Sequence, residues 1–464
     1  MQIPSGHQIQ YLMKKNIQNI IFVFMVVIFS IFAYYIAFNL QPNIIPDEPA
    51  HLFFAKHFST TWGIPPDTIE TSYWGWYIQQ NPFLYHWLNG RFINILTLSE
   101  SNISEQEILI LLRLINVFFS LGTITFCYLL SIEVINHKWW QLLPVFLLTN
   151  TLMFVFLSGG LNYDNLANFL SYGGLFFFCK ALKKKKFFSN SLTWMIFIAL
   201  ATLVKFTILP LALAMGTSWM IFLITEWKNI SLQDIKTIKI IIPIGILLIL
   251  FISNFLIYGI NLICYKSIQP SCSDILEQKY CENSRFYIRH EKMALDNKLS
   301  IIESTNLGYP NPIEYITNVW PRIMLLRTFG IPGHEGYKVY TPDNLIDYYQ
   351  FLLYSIFILS IFVFRKPSFL LISLFGISCF YTLILMYQNY QSELVYGFLH
   401  YAFQGRYIFP VIAPIYILFT KILKSTPSKY LRWAILFFTI GLFVYGGPLT
   451  LILKYDTVFS SWFN

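Results

Sequence analysis

Apolar runs of roughly 18 to 25 residues recur along almost the whole chain, and a run of that length matches the hydrocarbon thickness of a bilayer. Inside hydrocarbon each backbone N–H and C=O must find its partner within the protein, so runs of this kind fold as helices. The spans read as 20–38, 108–132, 140–157, 166–182, 192–209, 211–224, 238–263, 348–364, 369–387, 407–423 and 431–453. That makes about eleven transmembrane helices, with 192–224 also readable as one hairpin kinked at Pro210. Composition agrees, since 56% of the 464 residues are hydrophobic and only 12% are charged, against about 25% charged in an ordinary soluble domain. The fold class is therefore an all-α polytopic membrane protein, a single transmembrane domain over residues 1–464.

Short cytoplasmic loops concentrate Lys and Arg. Lys14 and Lys15, the run Lys183, Lys184, Lys185 and Lys186, then Lys228, Lys236, Lys239, Arg365, Lys366, Lys421, Lys424, Lys429 and Arg432 all fall on one side if the N-terminus is inside. The other side receives residues 454–464 and two long extracytoplasmic loops, 41–107 and 264–347. The net charge of +9 is then a topology signal, and no nucleic acid partner is expected, because that needs a basic face on a soluble module. The first run is too long for a cleaved signal peptide and lacks a small-x-small site, so it reads as a retained anchor. Cys127, Cys179 and Cys379 lie in spans as packing residues. Cys264, Cys272 and Cys281 share the second long loop, where one disulfide is expected with its pairing open. A zinc site there is disfavoured, as His290 is the nearest histidine and the spacing matches no familiar ligand set. The chain has no Walker loop, dinucleotide glycine motif or nucleophile elbow, which removes support for ATP-driven transport and serine hydrolysis.

Ionisable groups near hydrocarbon are costly and tend to mark function. Five polar clusters sit at outward ends of the spans. In Pro46-Asp47-Glu48-Pro49-Ala50-His51 the prolines bracket two acids in a short turn, with helix capping as the plainer explanation. Asn81-Pro82-Phe83-Leu84-Tyr85-His86 follows Trp74, Trp76 and Tyr77, and an interfacial aromatic stretch would explain it equally. Asn162-Tyr163-Asp164-Asn165 opens a span, where Asp164 could serve as a cap, leaving Asn162 and Asn168 free. Lys205 interrupts an apolar helix near its outer end, with snorkelling to the headgroups as its alternative. Gln404-Gly405-Arg406-Tyr407 precedes another span, and an Arg-Tyr pair there could be only an anchor. Together the clusters offer a carboxylate base and a cationic phosphate cradle, a combination suited to transfer from a lipid phosphate.

The Asp47-Glu48 pair, Asn81-Pro82-Phe83-Leu84-Tyr85 and Arg113-Leu114-Ile115-Asn116 resemble the GT-C superfamily of polytopic glycosyltransferases, which includes the protein O-mannosyltransferases and lipid A aminoarabinose transferases. Pro46-Asp47-Glu48-Pro49-Ala50-His51, Asn162 to Asn168 and Gln404-Gly405-Arg406-Tyr407 are similar, more narrowly, to a bacterial family of predicted membrane proteins within it. The resemblance implies a GT-C-like bundle that moves a sugar, with inversion, from a polyprenyl-phosphate donor. The acceptor would be a cell-envelope glycan, lipid or protein, and the active site would face outward from the bacterial cytoplasmic membrane. It implies Asp47 as general base with Glu48 as neighbour or alternative. Lys205 and Arg406 are expected on the donor phosphate, and His51, Asn81, Tyr85, His86, Asn162, Asp164, Gln404 and Tyr407 are further site candidates. A divalent metal, Mg or Mn, on Asp47, Glu48 and Asp164 is an open option. A lipid-linked glycan flippase or polymerase would instead bury charge at mid-membrane, and a non-catalytic assembly protein would tolerate Met at position 205.

Overall fold

The expected spans are helical over nearly all of their described residues. A computed structural model describes residues 6–99, 103–230, 241–331, 339–363, 367–400 and 403–464 of the chain. Among these residues, 8 helices are long and apolar enough to cross a bilayer, and the pair Lys138–Thr149 and Leu152–Ser158, bent by 68°, makes a ninth. The two other expected spans correspond to Tyr163–Leu182 and Lys429–Tyr445. The latter is 17 residues long, marginal for a crossing. Tyr163–Leu182 is long enough but too polar, carrying Asp164, Asn165, Asn168 and Ser171 among its buried residues. Its surroundings explain this composition, because it packs between Glu105–Val134 and Phe187–Val204. A helix enclosed by other helices need not be apolar all round. Gly173 permits the close approach, since a Cβ there would lie 2.4 Å from the Phe197 ring. In contrast, Ile241–Tyr265 exposes Ile241, Ile242, Ile249 and Phe251, the composition of a lipid-facing surface.

The two ends of the bundle differ. At one end the lysine turn is tied down, with Lys183 and Lys185 on Glu133 and Lys184 on Glu226. Lys236, Lys239, Arg365 and Lys366 lie outside the described residues. At the opposite end, Glu48–Ser59 and Leu84–Ser99 pack together around Phe54, Phe58 and Ile78, with Trp74 and Trp76 alongside. The C-terminal residues return to this end: Gln41 N donates to Trp462 O at 2.9 Å, and Asn464 N to Asn39 O at 2.8 Å. The segments that the charge pattern assigned to one side therefore touch.

The break after Val204 has a local cause. Pro210 has no N–H to donate, and its ring would clash with the carbonyl four residues back, so a helix cannot run through this segment undisturbed. The break falls upstream of the proline: Lys205 is extended (φ −153°, ψ 128°), a short 3-10 turn covers Phe206–Ile208, and a new helix starts at Leu209. Residue 205 is thus removed from both flanking helices.

In the second long loop, Cys272 and Cys281 form a disulfide, and Cys264 is exposed and unpaired. The Tyr77 hydroxyl reaches Cys272 Sγ at 2.6 Å, joining this loop to the first. Non-reducing peptide mapping is expected to recover a Cys272–Cys281 crosslink, with Cys264 open to alkylation before reduction; a link through Cys264 would contradict this arrangement.

Candidate active site

The two prolines of the first motif set the backbone but send the acids in opposite directions. Asp47 sits at the N-cap of Glu48–Ser59 with φ 63° and makes no side-chain cap, while Pro49 occupies an early helical position where no N–H is needed. A non-glycine residue in the left-handed region is uncommon and worth a functional question. Asp47, with a side chain 22% exposed, meets Arg406 Nη2. Glu48 turns inward and is buried.

Glu48 is taken up entirely by structure. Arg113 Nε donates to Glu48 Oε1 at 2.8 Å and Arg113 Nη2 to Oε2 at 2.6 Å, a bidentate fork. Leu161 N also donates to Glu48 Oε1 at 3.1 Å, and Arg113 Nη1 donates to the Leu40 carbonyl at 2.7 Å. The alternative base of the sequence reading is therefore a pin that ties the first helix, the acid turn and the start of Tyr163–Leu182 together. Arg113, whose role the motif left undefined, is its partner. The only signal for it in sequence is an arginine nine residues into an apolar helix.

Both expected cations turn inward. Lys205 does not snorkel: it is 4% exposed, and its Nζ donates to Asp164 Oδ1 at 2.5 Å. Its ammonium lies between two aromatic faces, 4.6 Å from the Tyr163 ring and 4.4 Å from the Tyr407 ring, a cation–π cage. Arg406 is 2% exposed, its Nε 3.4 Å from Asp164 Oδ2 and its Nη1 buried without a hydrogen-bond partner. The same local device presents both cations, since Arg406 lies in a 3-10 turn ahead of Pro410 as Lys205 lies at the turn ahead of Pro210. Gly405 is required there because a Cβ would lie 2.2 Å from the Arg327 carbonyl oxygen. Asp47, Asp164, Lys205 and Arg406 thus form one alternating, formally neutral quartet.

The remaining candidates divide. Asn162, not Asp164, caps its helix, with its Oδ1 accepting from Asp164 N at 2.9 Å, and its Nδ2 donates to Pro46 O at 3.0 Å. This leaves the Asp164 carboxylate for the cations. Tyr85 donates to Asn116 Oδ1 at 3.0 Å. His51 and His86 meet at 3.0 Å, with Tyr163 packed edge-on against His51. Burial pushes His86 down to about 3 and, with His86 as the next cause, lowers His51 well below the usual histidine range, so both are neutral at physiological pH. Gln404 stays at the margin, its carbonyl accepting from Tyr407 N at 3.0 Å. Asn81 is not brought in: its side chain donates to Tyr77 O at 2.9 Å.

The carboxylates do not suit a divalent metal. Hard cations take several oxygen ligands at once, but Glu48 is forked onto Arg113, Asp47 meets Arg406 and Asp164 meets Lys205. No group of three or more His, Cys, Asp or Glu is placed to hold a metal among the described residues. Lys205 and Arg406 already neutralise Asp164 and Asp47.

No protein-family model matches the sequence, and no protein of curated function does. Among solved structures, an archaeal oligosaccharyltransferase, AglB from Archaeoglobus fulgidus in complex with an inhibitory peptide and a dolichol-phosphate, superposes with a TM-score of 0.50 at 14% identity, covering 94% of this chain and 56% of that one. ArnT from Cupriavidus metallidurans bound to undecaprenyl phosphate superposes with a TM-score of 0.45 at 11% identity, covering 89% of this chain and 61% of that one. The chain shares its fold with the archaeal oligosaccharyltransferase. The chain spans 56% to 61% of the length of these two structures.

Removing one partner of a buried ion pair strands the other charge and costs about 3–5 kcal/mol. Glu48→Gln is therefore expected to lower the thermal stability of the detergent-solubilised protein sharply, whereas Asp47→Asn, at a partly exposed carboxylate that leaves Asp164 beside Arg406, should lower it less. Equal shifts in a thermal unfolding assay would contradict the assignment of Glu48 as the structural acid.

Proposed function

We propose that this protein is a glycosyltransferase that moves a sugar from a polyprenyl-phosphate-linked donor to a hydroxyl-bearing acceptor at the membrane surface. One observation carries the reading: Asp47, Asp164, Lys205 and Arg406, from four separate helix starts and breaks, converge at one end of the bundle. The Arg406 guanidinium, with Nη1 buried and unpartnered, has donors for phosphate oxygens in the fork that suits them. The AglB structure, which shares the fold, holds dolichol-phosphate, a ligand of the same chemical class.

In the proposed reaction the donor phosphate competes with Asp47 for Arg406, and its arrival releases the Asp47 carboxylate toward the acceptor. Asp47 takes the proton from the acceptor hydroxyl as that oxygen attacks the anomeric carbon. The bond from that carbon to the phosphate oxygen breaks with its electron pair going to the phosphate, where Lys205 and Arg406 stabilise the developing charge. One carboxylate base on one face suits a single displacement with inversion. Retention would need a second, nucleophilic carboxylate close to the first, and Glu48 is held by Arg113 while Asp164 is held by Lys205. The site is proposed to face outward from a bacterial cytoplasmic membrane, opposite the lysine turn. A flippase or polymerase is less well supported, since these charges lie at helix ends instead of along a mid-membrane cavity.

Two variants test the reading. Asp47→Asn should leave expression and membrane insertion intact but reduce transfer from undecaprenyl-phosphate sugars by about 100-fold or more. Near-normal turnover would remove Asp47 as base. Lys205→Met should weaken binding of undecaprenyl phosphate by about 10- to 100-fold, measured by ligand-dependent thermal shift, whereas a non-catalytic assembly protein would tolerate the change.

A further inference from the structure

The neutral histidine dyad beside the quartet has no part in the reaction outlined above. His51 stands one helical turn beyond Asp47 on Glu48–Ser59, its N–H donating to Asp47 O at 3.0 Å, and His86 is on Leu84–Ser99. His51 Nδ1 and His86 Nε2 are 3.0 Å apart, so one carries the proton and the other accepts it. Each ring has then one nitrogen left. His51 Nε2 and His86 Nδ1 are both buried without a hydrogen-bond partner, and both residues are 1% exposed. In either tautomer of the pair, one outer nitrogen is a donor and the other an acceptor.

Two helices whose sole need was to pack would do better with apolar rings here. His86 is set among Phe54, Phe58 and Trp76, and leaving a buried polar atom unpaired is costly. A retained dyad of this kind is understandable if the outer nitrogen at the site end is satisfied in the loaded protein. That end belongs to His51. Its Nε2 lies across the ring from the nitrogen that meets His86, and its ring touches Tyr163, which in turn forms one wall of the Lys205 cage. The charged groups that act on His51 are Asp47, Arg406 and Lys205, the members of the proposed site. His51 Nε2 is buried, and release of Asp47, one turn away on the same helix, is the movement that would uncover it.

We propose that His51, held in one tautomer by His86, is a hydroxyl-binding residue of the site, contacting through Nε2 a hydroxyl of the donor's sugar or of the acceptor. His86 is its positioning residue. The proposal rests on the glycosyltransferase reading and names what that reading lacks, a neutral contact for the sugar or acceptor beside the phosphate cradle. The dyad is not a base or proton store, because an imidazolium is disfavoured at both positions.

The test compares His51→Phe, His86→Phe and the double variant with the parent protein in detergent, using undecaprenyl phosphate and a panel of undecaprenyl-phosphate hexoses as probes. The expected result is unchanged or raised thermal stability in the double variant, unchanged affinity for undecaprenyl phosphate, and a roughly 3- to 10-fold loss at the substrate that supplies the hydroxyl, the value of one neutral hydrogen bond. Weaker binding of an undecaprenyl-phosphate hexose but not of undecaprenyl phosphate assigns the hydroxyl to the donor sugar. A raised acceptor KM with donor affinity intact assigns it to the acceptor. His86→Phe should reproduce a smaller part of the same loss. A fall in stability with affinities and KM unchanged would make the dyad a packing element and overturn the proposal. So would a changed slope in the pH profile of kcat/KM for His51→Phe, which would make His51 a titrating catalyst. Failure of the parent protein itself to bind undecaprenyl phosphate would overturn the phosphate-donor reading, and with it this proposal, and is seen without any variant.

Discussion

The bidentate contact between Glu48 and Arg113 holds the geometry on which the candidate site depends. Its two residues are 65 apart in sequence and almost completely buried. The spare donors of the arginine close the last carbonyls of the first helix, and the carboxylate also receives the N–H of Leu161. Such a pair adds little net stability over well-packed apolar residues, because desolvation offsets most of the attraction. What it supplies here is register. It fixes the turn at Pro46–Pro49 against two spans, and the adjacent residue, Asp47, is carried in its left-handed conformation to the face where Arg406 lies.

The cations are delivered by a second device, proline-broken helix starts. Lys205 precedes Pro210 and Arg406 precedes Pro410, and in each case a short 3-10 turn replaces regular helix ahead of the proline. A side chain leaving a regular helix would have been directed along that helix toward its N-terminal side. The break lets each cation turn into the bundle, where Asp164 bridges the two. Enclosure among Tyr163 and Tyr407 excludes water and strengthens every charge interaction. The neutral total is the arrangement from which the proposed exchange of Asp47 for an anionic ligand would start.

Much of the architecture was legible in composition and periodicity. The apolar runs became helices where they are described, the lysine turn at 183–186 lies at the end of Tyr163–Leu182 away from Asp164, and four of the five polar clusters met in one place. The fifth was brought in only in part, since Tyr85 and His86 reach the interior while Asn81 bonds to its own turn. Tyr163–Leu182 and Lys429–Tyr445 were legible as apolar segments even though one is too polar and the other too short to pass as an isolated span. The plainer explanations for Lys205 and Arg406, headgroup anchoring for both, fail because the two side chains are buried against carboxylates.

Sequence by itself determined the helices and the residue types that gather at one end, because burial of backbone in hydrocarbon leaves a chain of this composition few other choices. It did not determine which of two adjacent acids does what. Asp47 and Glu48 are chemically near-equivalent, and only the three-dimensional fold, by placing Arg113 on one and Arg406 on the other from 65 and 359 residues away, made one a structural pin and the other the proposed base. The same holds for the metal option and the histidine dyad. Whether carboxylates are shared by a metal or held by cations, and whether two imidazoles meet, depends on side-chain directions set by long-range packing, which local patterns do not encode.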